Sequence, residues 1–178
     1  MRELSLHILD LVENSIRAEA SIVCIEIMAD NAADLLHVSV EDNGPGFGVP
    51  VETAFDPFYT TKEGKKMGLG LSLFRGTIER ADGDVWAGTS ERFGGAAIRA
   101  TMQLRHVDRS PLGNLARSMA GVVCTNPEID FRVSFDLDGQ KYFLSSASLL
   151  EESGYDSLEA AEKVYEWVAA ILRNCAVL

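Results

Sequence analysis

The stretch Asp42-Asn43-Gly44-Pro45-Gly46 constrains this chain most, because it follows directly on the alternating run Leu36-His37-Val38-Ser39-Val40. Alternation of apolar and polar residues predicts a half-buried strand, and a turn rich in glycine and proline predicts where it ends. Glycine tolerates positive φ and lets another group come close to the backbone. The strand end therefore reads as a pocket floor with one carboxylate, Asp42, aimed into it. An ordinary Asn-Gly turn fits the same five residues equally well, so the flanking segments decide.

Upstream, Leu4, Ile8, Leu11, Val12 and Ile16 form an apolar stripe that predicts a helix over Glu3 to Ala18. Asp10 and Asn14 lie four residues apart and so share one face of it. An acid and an amide one turn apart suit a hydrated cation with bound phosphates: Asn14 offers a hard oxygen for Mg²⁺, and Asp10 a proton acceptor for an attacking water. Arg17 reaches phosphate oxygens from the helix end. A solvated polar face accounts for the same pair. His7 reads as a helix-face histidine.

Downstream, Ser21 to Met28 and Leu35 to Glu41 predict an antiparallel hairpin, and Val49 to Ala54 a short helix. The segment Phe55 to Met67 has little periodicity and three lysines, Lys62, Lys65 and Lys66; it reads as a lid. Gly68-Leu69-Gly70-Leu71 opens a further helix, where converging backbone N–H groups and the helix dipole favour an anion. Strands over Asp84 to Gly88 and Ala96 to Leu104 follow, joined through Gly94-Gly95.

Composition narrows the partners. The 178 residues fit one domain, or one with a small appendage. A net charge of −11 is spread over both halves: residues 1–104 hold nine basic and 16 acidic side chains, the remainder seven and eleven. Nucleic acids and anionic membranes call for basic patches, so neither is expected. No apolar run reaches membrane-spanning length. Cys24, Cys124 and Cys175 follow no zinc or disulfide pattern and are expected as buried thiols of a cytoplasmic protein.

Taken together, Asp10-x-x-x-Asn14, Asp42-x-Gly44-x-Gly46, the Pro57 to Lys62 lid, Gly68-x-Gly70-Leu71 and the Gly94-Gly95 strand resemble the ATP-binding domain shared by histidine kinases, DNA gyrase, Hsp90 and MutL (the GHKL ATPases), and the histidine-kinase branch most. The resemblance covers about residues 1–104. It implies a two-layer α/β sandwich, the Bergerat fold, with a mixed sheet and helices on one face. It implies Mg-ATP as the ligand, with Asp42 accepting from the adenine amine and Gly44 and Gly46 shaping the pocket. Asn14 would hold the Mg²⁺ and Arg17 contact the phosphates. Gly68, Leu69, Gly70 and Leu71 would line the triphosphate, with Thr60, Thr61 and Lys62 closing over it. The catalytic glutamate of the gyrase and MutL branches falls at Asp10, one methylene shorter. Ala18 and Ala96 stand where related sequences carry an aromatic residue and a threonine, which predicts weaker adenine contacts.

The division expected is an ATP-binding domain over 1–105 and a small α/β domain over 106–178. The tail shows a helix start at Ser110-Pro111, a hairpin around Asp138-Gly139, and a helix from about Leu158 to Arg173 burying Ala161, Val164, Tyr165, Val168 and Leu172. It carries no catalytic constellation, so a docking surface or homodimer interface is its default reading. The kinase dimerisation hairpin and its phosphoacceptor histidine are not expected ahead of the first helix. The function expected is an Mg-ATP-dependent regulator, a slow ATPase or a kinase acting on a separate protein partner. A nucleotide-sensing adaptor without turnover is the alternative.

Overall fold

The computed structural model describes residues 3–56 and 69–175. Helix α1 spans Leu4–Arg17, β1 Ile22–Asp30, β2 Leu35–Asp42, α2 Val51–Ala54, α3 Leu69–Glu79, β3 Asp84–Thr89 and β4 Ala96–Gln103. The tail adds α4 (Leu115–Thr125), β5 (Asp130–Leu137), β6 (Gln140–Ser145), α5 (Ser146–Glu152) and α6 (Ser157–Asn174). Among the described residues, six strands form one mixed sheet in the order β3-β4-β2-β1-β5-β6, in which the β1–β5 pairing is parallel and the other four are antiparallel.

Strand periodicity sets which face is covered. Val23, Ile25, Ile27 and Ala29 of β1 are in register with Asp42, Val40, Val38 and Leu36 of β2. They are likewise in register with Phe131, Val133, Phe135 and Leu137 of β5. These positions meet the helices and supply much of the core, together with Leu4, Ile8 and Leu11 of α1 and Phe74 and Ile78 of α3. The opposite face is polar and internally paired. Glu41 is buried there, accepts from Arg99 Nε at 3.0 Å and from Ser90 Oγ at 2.7 Å, and Arg99 lies 5.0 Å over the Trp86 ring. Cys24 lies on this face as well, its thiol pushed up to about 11 by burial, then by Glu26. Cys124 and Cys175 are half-buried, so the expectation of three buried thiols holds for Cys24 alone.

Beyond residue 105 the chain stays with the same sheet, β5 pairing with β1 at the centre and α4 lying beside α1. Two features expected of this region are corrected. The helix after Ser110-Pro111 begins at Leu115, with the Asn114 side chain accepting from Arg117 N. The carbonyls of Pro111 and Leu112 instead accept from Leu4 N at 2.9 Å and Ser5 N at 2.8 Å. They satisfy N–H groups that the first turn of α1 cannot bond itself. In α6 the buried set is Ala160, Ala161, Val164, Val168 and Ile171, while Tyr165 is exposed and Leu172 half-buried. The interior face is turned toward the small alanines, which let α6 pack against α4. Among the described residues no helix is long and apolar enough to cross a membrane.

A sheet shared by both parts predicts cooperative unfolding. Phe135→Ala empties a site that is 1% exposed and is expected to cost about 3–5 kcal/mol. Followed by urea titration with circular dichroism, the whole chain should melt earlier in one transition. An early transition confined to the tail would contradict the shared core.

Candidate functional site

Asp42 ends β2 on the helix-covered face, level with Val23, and is 4% exposed. A buried carboxylate is costly unless its oxygens are hydrogen-bonded. Three donors meet it: Ser15 Oγ at 2.6 Å on Oδ2, and the N–H groups of Gly44 at 2.9 Å and Ala96 at 3.0 Å on Oδ1. An ionised carboxylate has about four lone-pair positions. Among the described residues, these bonds leave Oδ2 room for one more donor.

The surrounding backbone fits this carboxylate closely. A Cβ on Gly95 would lie 2.4 Å from both Asp42 O and Oδ1, and Gly95 N donates to Asp42 O at 3.2 Å. Glycine is therefore required at 95 by close approach, as it is at Gly46 by a φ of +79°. Gly44 lies against Ala18, whose carbonyl would be 3.2 Å from an added Cβ. Asn43 fastens the turn to β1: its Oδ1 accepts from Ser21 N and Ile22 N, each at 2.9 Å. The Asp42 turn, the end of α1 and the Gly94-Gly95 loop thus meet at one place.

The Ser15–Asp42 bond sets the neighbouring Asn14 on the same side of the sheet as Asp42. Asn14 Oδ1 accepts from Arg17 Nη2, and Arg17 also lies 3.6 Å from Glu13. Asp10 sits one turn back, where α3 crosses α1; a Cβ on Gly70 would approach Asp10 Cβ at 3.9 Å. Leu69 begins α3, while the Leu71 side chain is 9% exposed within the core, so what Leu71 offers a ligand is its backbone. Arg75 of α3 stacks over the Phe55 ring at 3.5 Å. Thr60, Thr61, Lys62 and Gly68 lie outside the described residues. Asp42 and Gly44 meet the end of α1 at Ser15 and Ala18, Gly46 lies by Gly95, Arg17 is bonded to Asn14, and Gly70 approaches Asp10 one turn back.

Ser15 is a site residue that the motif pattern does not reveal. Its signal is present all the same: it falls on the buried stripe of α1 with Leu4, Ile8, Leu11 and Val12. A hydroxyl on such a stripe must find a buried partner. His7, buried on the same helix, lies 3.1 Å from Thr77 Oγ1 of α3 and so helps to fix the two helices together.

A mixed sheet with helices on one face, a buried carboxylate at a strand end and a helix bearing an amide beside it make up an α/β sandwich. The model of the histidine kinase-, DNA gyrase B-, and HSP90-like ATPase family matches residues 2–106, and the chain belongs to that family. It is 37% identical over 99 residues to the sensor protein FixL of Bradyrhizobium diazoefficiens, a match spanning 53% of this chain and 19% of FixL. It is 31% identical over 92 residues to the sensor histidine kinase WalK of Bacillus subtilis, spanning 46% of this chain and 15% of WalK. The chain thus corresponds to less than a fifth of either relative's length. Among solved structures, the N-terminal domain of a DNA repair protein superposes with a TM-score of 0.54 at 18% identity. That likeness covers 82% of this chain and 53% of the other, a larger share than residues 2–106, so the shared fold takes in part of the tail.

Removing the Ser15 donor should be felt in the fold. Ser15→Ala is expected to destabilise by about 1.5–3 kcal/mol, the range for a hydrogen bond to a charged group. Denaturant unfolding at neutral pH checks this; a variant as stable as the parent would show that Asp42 does not rely on the hydroxyl.

Proposed function

We propose that this chain is an Mg-ATP-binding regulator that hydrolyses ATP slowly or transfers its phosphoryl group to a separate protein. The observation that carries the reading is the Asp42 carboxylate, buried and oriented by three donors with one acceptor position remaining on Oδ2. An exocyclic amine of adenine suits that position, since the carboxylate can only accept. Gly44, Gly46 and Gly95 keep the floor close to backbone.

The donor set of α1 suits the phosphate end. Asn14 Oδ1 is a hard oxygen of the kind Mg²⁺ prefers. Turning toward a metal would release Arg17 from its bond to Asn14, leaving the guanidinium to meet phosphate oxygens. Asp10 is set to accept the proton of a water or hydroxyl nucleophile. Gly70 beside it lets α3 begin near phosphate, presenting backbone N–H groups at a helix N-terminus. Thr60, Thr61, Lys62 and Gly68 are assigned to the triphosphate by family resemblance. When bound, Mg-ATP supplies the phosphoryl group and most of the charge neutralisation, and such transfers need chiefly positioning and electrostatics from the protein.

The acceptor, where transfer occurs, belongs to a protein partner. Residues 106–178 are the proposed interaction part, since they add no motif to the site. Reading the chain as a sensor without turnover differs in one respect: Asp10 would then have no chemical role.

Asp10→Asn separates these readings. With γ-labelled ATP, the variant is expected to bind nucleotide like the parent while turnover or label transfer falls about 10²–10⁴-fold, the usual contribution of a positioned base. Equal turnover in the two proteins would remove Asp10 from the chemistry. A parent that binds ATP but never releases or transfers label would leave the sensing role.

A further inference from the structure

Glu41 and Asp42 are consecutive in β2, so their side chains leave opposite faces of the sheet. Asp42 enters the helix-covered face and the candidate site; Glu41 enters the other face, where it is 4% exposed. One turn, residues 90–95, bonds to both. On the Asp42 side, Gly95 N donates to the Asp42 carbonyl at 3.2 Å, and Ala96 N, at the start of β4, donates to Asp42 Oδ1 at 3.0 Å. On the Glu41 side, Ser90 Oγ donates to Glu41 Oε2 at 2.7 Å. Ser90 also closes the turn. Its N–H donates to the Gly95 carbonyl and its own carbonyl accepts from Gly94 N, each at 2.8 Å, while its Oγ accepts from Phe93 N at 3.0 Å. The turn therefore clasps the end of β2 from both faces.

Several contacts hold this turn, and burial ranks them. Arg92 pairs with Glu26 at 2.8 Å, but both side chains are exposed, and such pairs contribute little. The Phe93 ring lies 5.1 Å from the Arg92 guanidinium and 5.9 Å from that of Arg132, contacts that are weak where solvent reaches them. The Ser90 bond differs in kind. Ser90 is 1% exposed and its acceptor is a buried carboxylate, the setting in which a hydrogen bond is short and strong. Glu41 is itself fixed from the other side, since Arg99 donates to Oε1 from Nε at 3.0 Å and from Nη2 at 2.8 Å.

We propose that Glu41 is a positioning residue for nucleotide recognition. Through Ser90 it sets where Gly95 and Ala96 meet Asp42, and so where the remaining acceptor position on Asp42 Oδ2 points. The role rests on Asp42 accepting a purine amine, and it extends that recognition to a residue on the far face of the sheet. Without the Ser90–Glu41 bond the turn loosens and the Ala96 donor no longer holds Oδ1 in place. The loss falls on the base, because Asp10, Asn14 and Gly70 are carried by α1 and α3.

Titration calorimetry with Mg²⁺ and either ATP or purine riboside triphosphate isolates that contact, since the analogue keeps the ring and phosphates but lacks the 6-amine. The parent should prefer ATP about ten- to hundredfold, as expected for a hydrogen bond to a charged group. In Ser90→Ala and Glu41→Ala the preference should shrink about fivefold, with affinity for the analogue within about twofold of the parent. Ser90→Ala, the smaller change, carries the test should Glu41→Ala fail to fold. Glu41→Gln should retain the preference, because an amide can accept from Arg99 and donate to Ser90 Oγ. An unchanged preference in the alanine variants, whatever their melting temperatures, would overturn the role of Glu41 and leave Asp42 as the amine acceptor. So would an equal loss for both nucleotides, or a glutamine as poor as alanine. A parent that binds the two nucleotides alike, or neither, would overturn the role of Asp42 and that of Glu41 with it.

Discussion

The structure depends on satisfying the hydrogen bonding of one buried carboxylate, Asp42. Asp42 is buried at the end of a central strand, and its carboxylate is tolerated because a helix hydroxyl and two backbone N–H groups point at it. Those donors come from three separate parts of the chain: α1, the turn after β2 and the start of β4. Satisfying the charge therefore fixes how three segments meet. The glycines follow from the same requirement, since a side chain at 95 would occupy the carboxylate's own space. An unpaired carboxylate here would cost several kcal/mol, so recognition geometry and folding are one problem at this point.

Helix α1 links this centre to the rest of the molecule. Its C-terminal half brings Asp10, Asn14, Ser15 and Arg17 to the site, while its first turn is bonded to the carbonyls of Pro111 and Leu112. Its flanks lie against α3 and α4. The tail thus contributes to the footing of the helix that carries Asp10, Asn14 and Ser15. At the far end of the β1–β2 hairpin a second tie exists: Asp138 accepts from Asn31 N at 2.8 Å and Nδ2 at 2.7 Å, and Arg105 Nη2 donates to Asn31 Oδ1 at 2.6 Å. Helix α1 packs on α4, and α4 in turn on α6.

Much of this was legible from residues because the signals were local. Alternation placed β1 and β2 to within a residue or two, and Asp138-Gly139 marked the β5–β6 hairpin, whose two turn residues indeed have φ of 52° and 83°. The spacing of Asp10 and Asn14, and the Gly-rich turn after Asp42, pointed to elements that do converge. What was hidden depended on distant partners. Nothing near Phe131 announces that β5 will lie parallel to β1. Ser110-Pro111 has the chemistry of a helix start, yet its neighbours' carbonyls are needed by α1, and the helix waits until Asn114 caps it. Val164 and Tyr165 lie about 100° apart on α6 and flank Ala161 and Val168 on either side, so periodicity could not say which of the two faces inward; the buried set with Ala160 and Ala161 turns Val164 toward α4. The short helix α5 was missed because seven residues carry too little period, although Ser145 caps it by accepting from Ser148 N.

The central claim is that a purine amine completes the hydrogen bonding of Asp42. Titration calorimetry with ATP and Mg²⁺, on the parent and on Asp42→Asn, tests it most directly. The account predicts saturable one-to-one binding by the parent, and loss of that binding in the variant at unchanged circular dichroism, since an amide that keeps its oxygen on the Gly44 and Ala96 N–H groups presents an NH2 donor, in place of an acceptor, to the adenine amine. Equal affinity in the two proteins, or no heat of binding in the parent, would contradict it.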